Sequence, residues 1–356
     1  MRVLPADFWD RSPPRRLLII KPSALGDVVQ ALPLAVAAKE RWPNVKLSWV
    51  IAEGLRSLLG LVPQIDEVYS FRRGAGMIPF ARLCRELRAA RFDTVLDLQG
   101  LLRTGAMTFA TGAKTRLGLQ TSREGSSLAC HAVIGGTSRD VPAHARYWKI
   151  ARDWGIADRP TSPALVPADH DLTLADGLLA GLPRPWIGIQ PGTRWVTKSW
   201  PVESFAGVAQ RLADVTGGGL IFLGAPNETH LTSECQTRVR AVRPDKPVLD
   251  LGGKSNLRQL TALLSRLDLL ICNDSGPMHL AAEMGTPVVA VFTCTDPLRS
   301  GPPGDRHRLV ATTLPCRAGY HKNCPMKGTQ HLACFRDVTI DRVWHAALEI
   351  LDQRKG

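Results

Sequence analysis

In the stretch L-L-I-C-N-D-S-G-P-M-H-L-A-A, Leu269 to Ala282, an unbroken apolar run stops at Asp274, Ser275 and Gly276, and helical spacing of apolar residues resumes at Met278. A buried strand, a tight loop and a helix in succession account for that pattern. The same three parts open the chain: Leu17 to Ile20 is apolar, a glycine-containing turn at Ala24 to Asp27 follows, and helical spacing runs from Val28 to Trp42. Further strands are predicted at Lys46 to Ala52 and Thr94 to Leu98, with a helix at Ile78 to Ala90 between them. A second series has strands at Trp186 to Gln190, Gly219 to Leu223, Val248 to Leu251, Leu269 to Asn273 and Val288 to Phe292, with a helix at Asn256 to Leu267. Strands that are apolar throughout and alternate with helices belong to a parallel sheet covered on both faces.

The expected fold class is therefore α/β, with two Rossmann-like, doubly wound halves facing across a cleft. A chain of 356 residues fits two cores of about 150 to 180 residues each. The segment from about Pro160 to Pro185, rich in Pro, Ala and Asp with a short helical piece at Leu172 to Leu182, is the expected linker region. The domains then read as 1–170, 171–337 and a closing amphipathic helix in 338–356, whose apolar stripe is Ile340, Val343, Trp344, Ala347, Leu348 and Leu351. Ligands of such folds bind outside the carboxyl ends of the strands, so the chemistry is expected in the loops after them.

No stretch of 18 uninterrupted apolar residues occurs, and Asp7, Asp10 and prolines occupy the place of a signal peptide's apolar region. A cytoplasmic protein is the expectation. The net charge is +13, and residues 1–150 hold 22 Lys or Arg against 12 Asp or Glu, an excess of ten positive charges. Such a surface suits an anionic membrane, a phosphorylated substrate or nucleic acid. No helix-turn-helix, zinc-finger or RNA-binding aromatic motif accompanies it, which argues against nucleic acid as a partner. Cys84, Cys130, Cys235, Cys272 and Cys294 lie in apolar or helical patterns as reduced core residues. Cys316, Cys324 and Cys334, interleaved with His321 and His331, read either as a loop closing the second domain or as metal ligands lacking close C-x2-C pairs.

Four loops carry the candidate chemistry. In K-P-S-A-L-G-D, Lys21 to Asp27, the carboxylate of Asp27 is either a helix-start group or a base able to take the proton of an attacking hydroxyl. In Q-P-G-T-R-W-V-T-K-S-W-P, Gln190 to Pro201, Gly192 and Thr193 permit close approach of a phosphate and Lys198 adds a mobile charge, or Lys198 is simply a surface lysine. The Walker spacing is absent. Asp274, Ser275 and Gly276 place unpaired helix N–H groups where a diphosphate would sit, with His279 one turn on; the alternative is an N-cap and a packed histidine. In L-G-A-P-N-E, Glu228 could accept ribose hydroxyls or merely start a helix. No D-x-D dyad is present, so phosphate charge would be met by Lys198, other basic side chains and helix dipoles instead of a divalent cation.

Together, K-P-S-A-L-G-D-V-V-Q-A-L-P, Q-P-G-T-R-W-V-T-K-S-W-P and N-D-S-G-P-M-H-L-A-A resemble, in order and spacing, the motifs of the lipopolysaccharide heptosyltransferases, glycosyltransferase family 9. D-L-Q-G-L-L-R-T-G, Asp97 to Gly105, is most similar to the first-heptose branch, whereas the tail from Cys316 to Cys334 resembles other branches. The resemblance implies a GT-B fold and metal-independent, inverting transfer of heptose from ADP-heptose to the Kdo and lipid A inner core, with no cofactor. It implies Asp27 as base, and Thr193, Lys198, Glu228, Asp274, Ser275, Gly276 and His279 as the donor site. Lys21, Ser23, Arg103 and Arg123 would form the acceptor side, and the enzyme would work peripherally on the inner face of the inner membrane. A transferase or epimerase using another nucleotide sugar, a binding protein without turnover, and a nucleic-acid-binding protein are the alternative readings.

Overall fold

The computed structural model describes residues 7–156 and 164–353. Residues 160–163 of the expected linker, Met1 to Ala6 of the start and the end of the closing segment at 354–356 lie outside the described residues. The chain separates into two compact units, Met1–Val166 and Pro167–Gly356.

The first unit is a six-stranded sheet of β1 (Arg16–Ile20), β2 (Lys46–Ala52), β3 (Glu67–Phe71), β4 (Thr94–Asp97), β5 (Thr115–Leu119) and β6 (Ala132–Ile134), in the order β3-β2-β1-β4-β5-β6. Every pairing is parallel. The second comprises β7 (Trp186–Gln190), β8 (Gly219–Phe222), β9 (Val248–Asp250), β10 (Leu269–Asn273), β11 (Val288–Phe292) and β12 (Arg308–Ala311). Its order β9-β8-β7-β10-β11-β12, again all parallel, repeats that of the first, strand for strand. Both are doubly wound Rossmann sheets, as the apolar runs require.

Burial explains which strands were legible. All five residues of β10 and all five of β11 are buried, whereas all five of the edge strand β3 are half-exposed. The helix expected over Val28 to Trp42 is two helices, Leu25–Ala31 and Pro33–Arg41. Pro33 has no N–H to continue the first helix but is well suited to the first turn of the second. The closing helix, Ile340–Gln353, buries Val343, Ala347 and Ile350 in the second unit's core against Val208, Leu212 and Val310. Trp200 anchors that core: its ring meets Phe205 edge-on at 5.0 Å, and its indole N–H donates to Val338 O at 2.9 Å.

Candidate active site

In a 3-2-1-4-5-6 sheet the chain leaves the first strand toward one face and the fourth toward the other, so their loops part and leave a notch at the carboxyl edge. In the first unit those loops follow β1 and β4; in the second they follow β7 and β10. The first pair carries Lys21, Ser23, Asp27 and Arg103, and the second carries Thr193, Lys198, Asp274, Ser275 and Gly276.

Asp27 lies half-exposed in the first turn of the Leu25–Ala31 helix, and its Oδ2 accepts from Ala24 N–H at 3.2 Å. It thus does serve the helix start. Ser23, half-exposed, precedes it, joined to Ala24 by a cis peptide. Lys21 is only 5% exposed, with the equally buried Tyr147 near its ammonium. Burial alone would lower that ammonium's pKa, but Asp27, Tyr147 and Asp97 outweigh it and hold the pKa above its ordinary value. Asp97, 1% exposed at the end of β4, accepts from Gln99 N–H (3.0 Å), Gly100 N–H (2.9 Å) and Thr104 Oγ1 (2.9 Å). Burial nonetheless raises its carboxyl above the usual range.

Arg103 and Arg123 are both exposed, and their loops are pinned together: Arg123 N–H donates to Gly100 O at 2.8 Å and Leu102 N–H to Glu124 Oε2 at 3.2 Å. Gly100, at φ +65°, allows this approach; a Cβ there would lie 2.8 Å from Ser122 Cα. Arg103 rests its guanidinium on the Phe71 ring, 5.2 Å from the centroid.

In the second unit, Lys198 Nζ and Thr295 Oγ1 each donate to Asp274 Oδ2 at 2.6 Å, and Thr193 Oγ1 reaches Asp274 O at 3.4 Å. The Lys198 ammonium also sits 4.8 Å above the Trp195 ring. Gly192 is in contact with the Glu228 carboxyl so closely that a Cβ on it would meet Glu228 Cδ at 2.1 Å, while Glu228 Oε2 accepts from Ala225 N–H at 2.9 Å. The β10 loop ends at the helix Gly276–Glu283. Ser275 does not cap it through its side chain; its hydroxyl donates instead to Gln190 Oε1 at 3.0 Å. The first-turn N–H groups and the positive end of the helix dipole therefore point into the notch beside Lys198. His279 is buried at 7% exposure on the same turn.

The three late cysteines belong to the segment that closes this unit. Burial, with Cys316, Cys324 and Cys294 nearby, pushes the Cys334 thiol up to about 11. Among the described residues no three His, Cys, Asp or Glu side chains are gathered so as to hold a metal ion.

The model of glycosyltransferase family 9 (heptosyltransferase) matches residues 80–330. The chain belongs to that family. This glycosyltransferase is 29% identical to the lipopolysaccharide core heptosyltransferase OpsX of Haemophilus influenzae over 303 residues, 84% of each chain. Its fold is that of the solved family 9 glycosyltransferase of Veillonella parvula (TM-score 0.81, 22% identity, 95% of this chain and 98% of that one). It is likewise that of the E. coli heptosyltransferase WaaC solved with ADP (TM-score 0.70, 22% identity, 94% and 99%). The fold class is GT-B, as the motifs implied.

Sequence reasoning missed several residues that build the glycosyltransferase's loops. Asn273, fully buried, accepts from Trp200 N–H (3.1 Å) and donates to Pro191 O (2.7 Å), which fixes both ends of the Lys198 turn. Thr295 lies just beyond the end of β11 and Asp97 is the last residue of β4, so Asp97 obeys the same strand-then-carboxylate pattern that singled out Asp27. Tyr147 sits in mid-helix, far along the chain from Lys21, and no local signal marks it.

Proposed function

We propose that the enzyme transfers heptose, with inversion, from ADP-heptose to the Kdo-bearing lipid A core of lipopolysaccharide. The observation that carries this reading is the pairing of Lys198 with Asp274 at the N-terminus of the Gly276–Glu283 helix, with Glu228 against Gly192 on the neighbouring loop. An ammonium and free helix N–H groups suit a diphosphate, and a carboxylate accepting at a strand end suits a ribose. Thr193, Ser275 and His279 complete the donor site. As the bond to the leaving ADP lengthens, negative charge grows on the diphosphate, and Lys198 with the helix end stabilises it more in the transition state than before it. No divalent cation is needed in this scheme. Asp27 takes the proton of the attacking hydroxyl, a role typically worth about 10²- to 10⁴-fold in rate.

The acceptor belongs to the basic first unit, with Ser23, Arg103 and Arg123 at the loops around Asp27. The loops after β3, β4 and β5 also expose Met77 (77%), Ile78 (75%), Leu102 (63%) and Leu128 (90%), with Arg72, Arg73 and Arg103 beside them in the chain. Exposed apolar tips among arginines suit an anionic lipid surface, which is where a lipid-linked acceptor lies. Among the described residues no helix is long and apolar enough to cross a membrane, so attachment is peripheral in this reading. The test is mass spectrometry of Kdo-bearing lipid A incubated with ADP-heptose and the enzyme, beside Asp27→Ala. A heptose-sized gain that requires Asp27 supports donor, acceptor and base together. Gain from a UDP-sugar but not from ADP-heptose would overturn the donor assignment.

A further inference from the structure

Charge in the proposed donor site does not balance. Its assigned cation is Lys198, whose ammonium is already paired with Asp274 at 2.6 Å, and a second carboxylate, Glu228, lies against Gly192 on the same loop as Lys198. The helix end at Gly276 contributes only about half a positive charge. A diphosphate joining nucleoside to sugar carries two negative charges and gains a third as the sugar leaves, so without a divalent cation a further basic group is required. The segment after β12 supplies one. Tyr320 N–H donates to Cys294 O at 2.9 Å, and the next carbonyl, that of His321, accepts from Thr197 Oγ1 at 2.5 Å. The Tyr320 hydroxyl shares a hydrogen bond with Ser300 Oγ at 3.0 Å. Residues 320 and 321 are thereby fixed against the loops after β7 and β11, and Lys322 comes next. Its ammonium lies 5.9 Å from the centre of the Trp195 ring, the same ring that has the Lys198 ammonium 4.8 Å from its centre. Lys322 is exposed, and among the described residues no carboxylate pairs with it.

We propose that Lys322 is a second diphosphate-binding residue, which the segment closing the second unit brings to the Trp195 ring beside Lys198 to meet phosphate charge that the Lys198–Asp274 pair leaves unanswered. The inference rests on the reading of the Lys198 turn as the diphosphate site. Two ammoniums beside one ring repel each other, and the negative face of the indole offsets part of that cost while the site is empty. A diphosphate arriving between them turns the repulsion into attraction, which strengthens as charge grows on the departing group. Two arginines lie in the same loops. Arg299 has its guanidinium 5.1 Å from the centre of the Tyr320 ring, away from Trp195, and Arg194 is an exposed residue of the Lys198 turn. Lys322 is singled out because its backbone is tethered to that turn through Thr197 and its ammonium shares a ring with Lys198. On this reading the late, cysteine-containing segment has a task in catalysis: it carries a cation to the phosphates.

The test is calorimetric titration of the full-length enzyme with ADP, repeated at low and high salt. Lys322→Gln should weaken ADP binding about tenfold at low salt, and its gap from the wild type should narrow at high salt as screening shortens the reach of the charge. Lys322→Arg should restore most of the loss, because the charge returns at the same place. Lys327→Gln removes the same charge from an exposed lysine elsewhere on that segment and should bind ADP as the wild type does. Equal affinity in Lys322→Gln and the wild type overturns the proposal, as does a loss that Lys327→Gln matches. A loss that neither salt nor Lys322→Arg reduces marks a structural role and overturns it too. If the wild type binds UDP and not ADP, the donor reading has failed, and the same variants titrated with UDP judge Lys322 by the same criteria. Binding of neither nucleotide by the wild type refutes the diphosphate site itself, and this proposal with it.

Discussion

The Lys198 ammonium and the Asp274 carboxylate meet at 2.6 Å with side chains only 17% and 7% exposed, and Thr295 donates to the same oxygen. Removing the ammonium leaves a largely buried carboxylate with a hydroxyl for company, a loss of about 3 kcal/mol in stability. Lys198→Ala should therefore melt earlier, weaken donor binding, and lower kcat by about 10²-fold. Calorimetry and donor titration read the three effects separately. A variant that binds the donor as tightly as the wild type would take Lys198 out of the diphosphate site.

Gly192 has no room for a side chain because Glu228 occupies the space. In Gly192→Ala the new methyl would drive the carboxylate off Ala225 N–H, so KM for ADP-heptose should rise about tenfold while the kcat of saturated enzyme changes little, the pattern of lost ground-state binding. Glu228→Gln should move KM in the same direction. If Gly192→Ala keeps the wild-type KM, Glu228 does not hold the ribose.

Met77 and Ile78 follow Arg72 and Arg73 in one exposed loop and helix start. Replacing both apolar residues by Asp removes about 3 kcal/mol of lipid burial, roughly two orders of magnitude in partitioning. Flotation with vesicles containing anionic phospholipid should be lost, while activity on a detergent-free, lipid-truncated acceptor persists. Undiminished flotation would place the lipid contact elsewhere.

Asp337 accepts from Thr312 Oγ1 (2.6 Å) and Thr313 N–H (2.7 Å), tying the strand β12 exit to the short helix Cys334–Asp337 that precedes the closing helix. The Thr312 hydroxyl, then the Thr313 N–H, hold its carboxyl below the usual range. A depressed folded pKa means that its contribution is complete above the ordinary carboxylate pKa of about 4 and is lost as pH falls through the folded value. Asp337→Asn should cost about 1 kcal/mol at pH 7 and nothing at pH 2 in urea unfolding. An equal cost at both pH values would contradict the assignment.

The central strands were legible because burial on both faces leaves an unbroken apolar signature, as in Leu17–Ile20 and Leu269–Asn273. Of the edge strands only β9 was read, at Val248 to Leu251; β3 mixes Glu67 and Ser70 with apolar residues, and β6 is only Ala132–Ile134. The candidate loops were legible because a carboxylate or glycine directly after a buried strand is a local pattern. What could not be read is cooperation at long range. Tyr147 finds Lys21 through the packing of a helix, and Thr295 reaches Asp274 across two neighbouring strands. The sequence marked Ser275 as a possible cap, but the structure gives its hydroxyl to Gln190.

Thr197 occupies the middle of the Lys198 turn, where its hydroxyl donates to His321 O at 2.5 Å and its carbonyl accepts from Thr293 Oγ1 at 2.5 Å. Both partners are translated about a hundred residues later. A ribosome that has already completed the Lys198 turn thus carries that turn without its tethers until the segment around His321 has emerged, so the proposed donor pocket takes shape only late in synthesis.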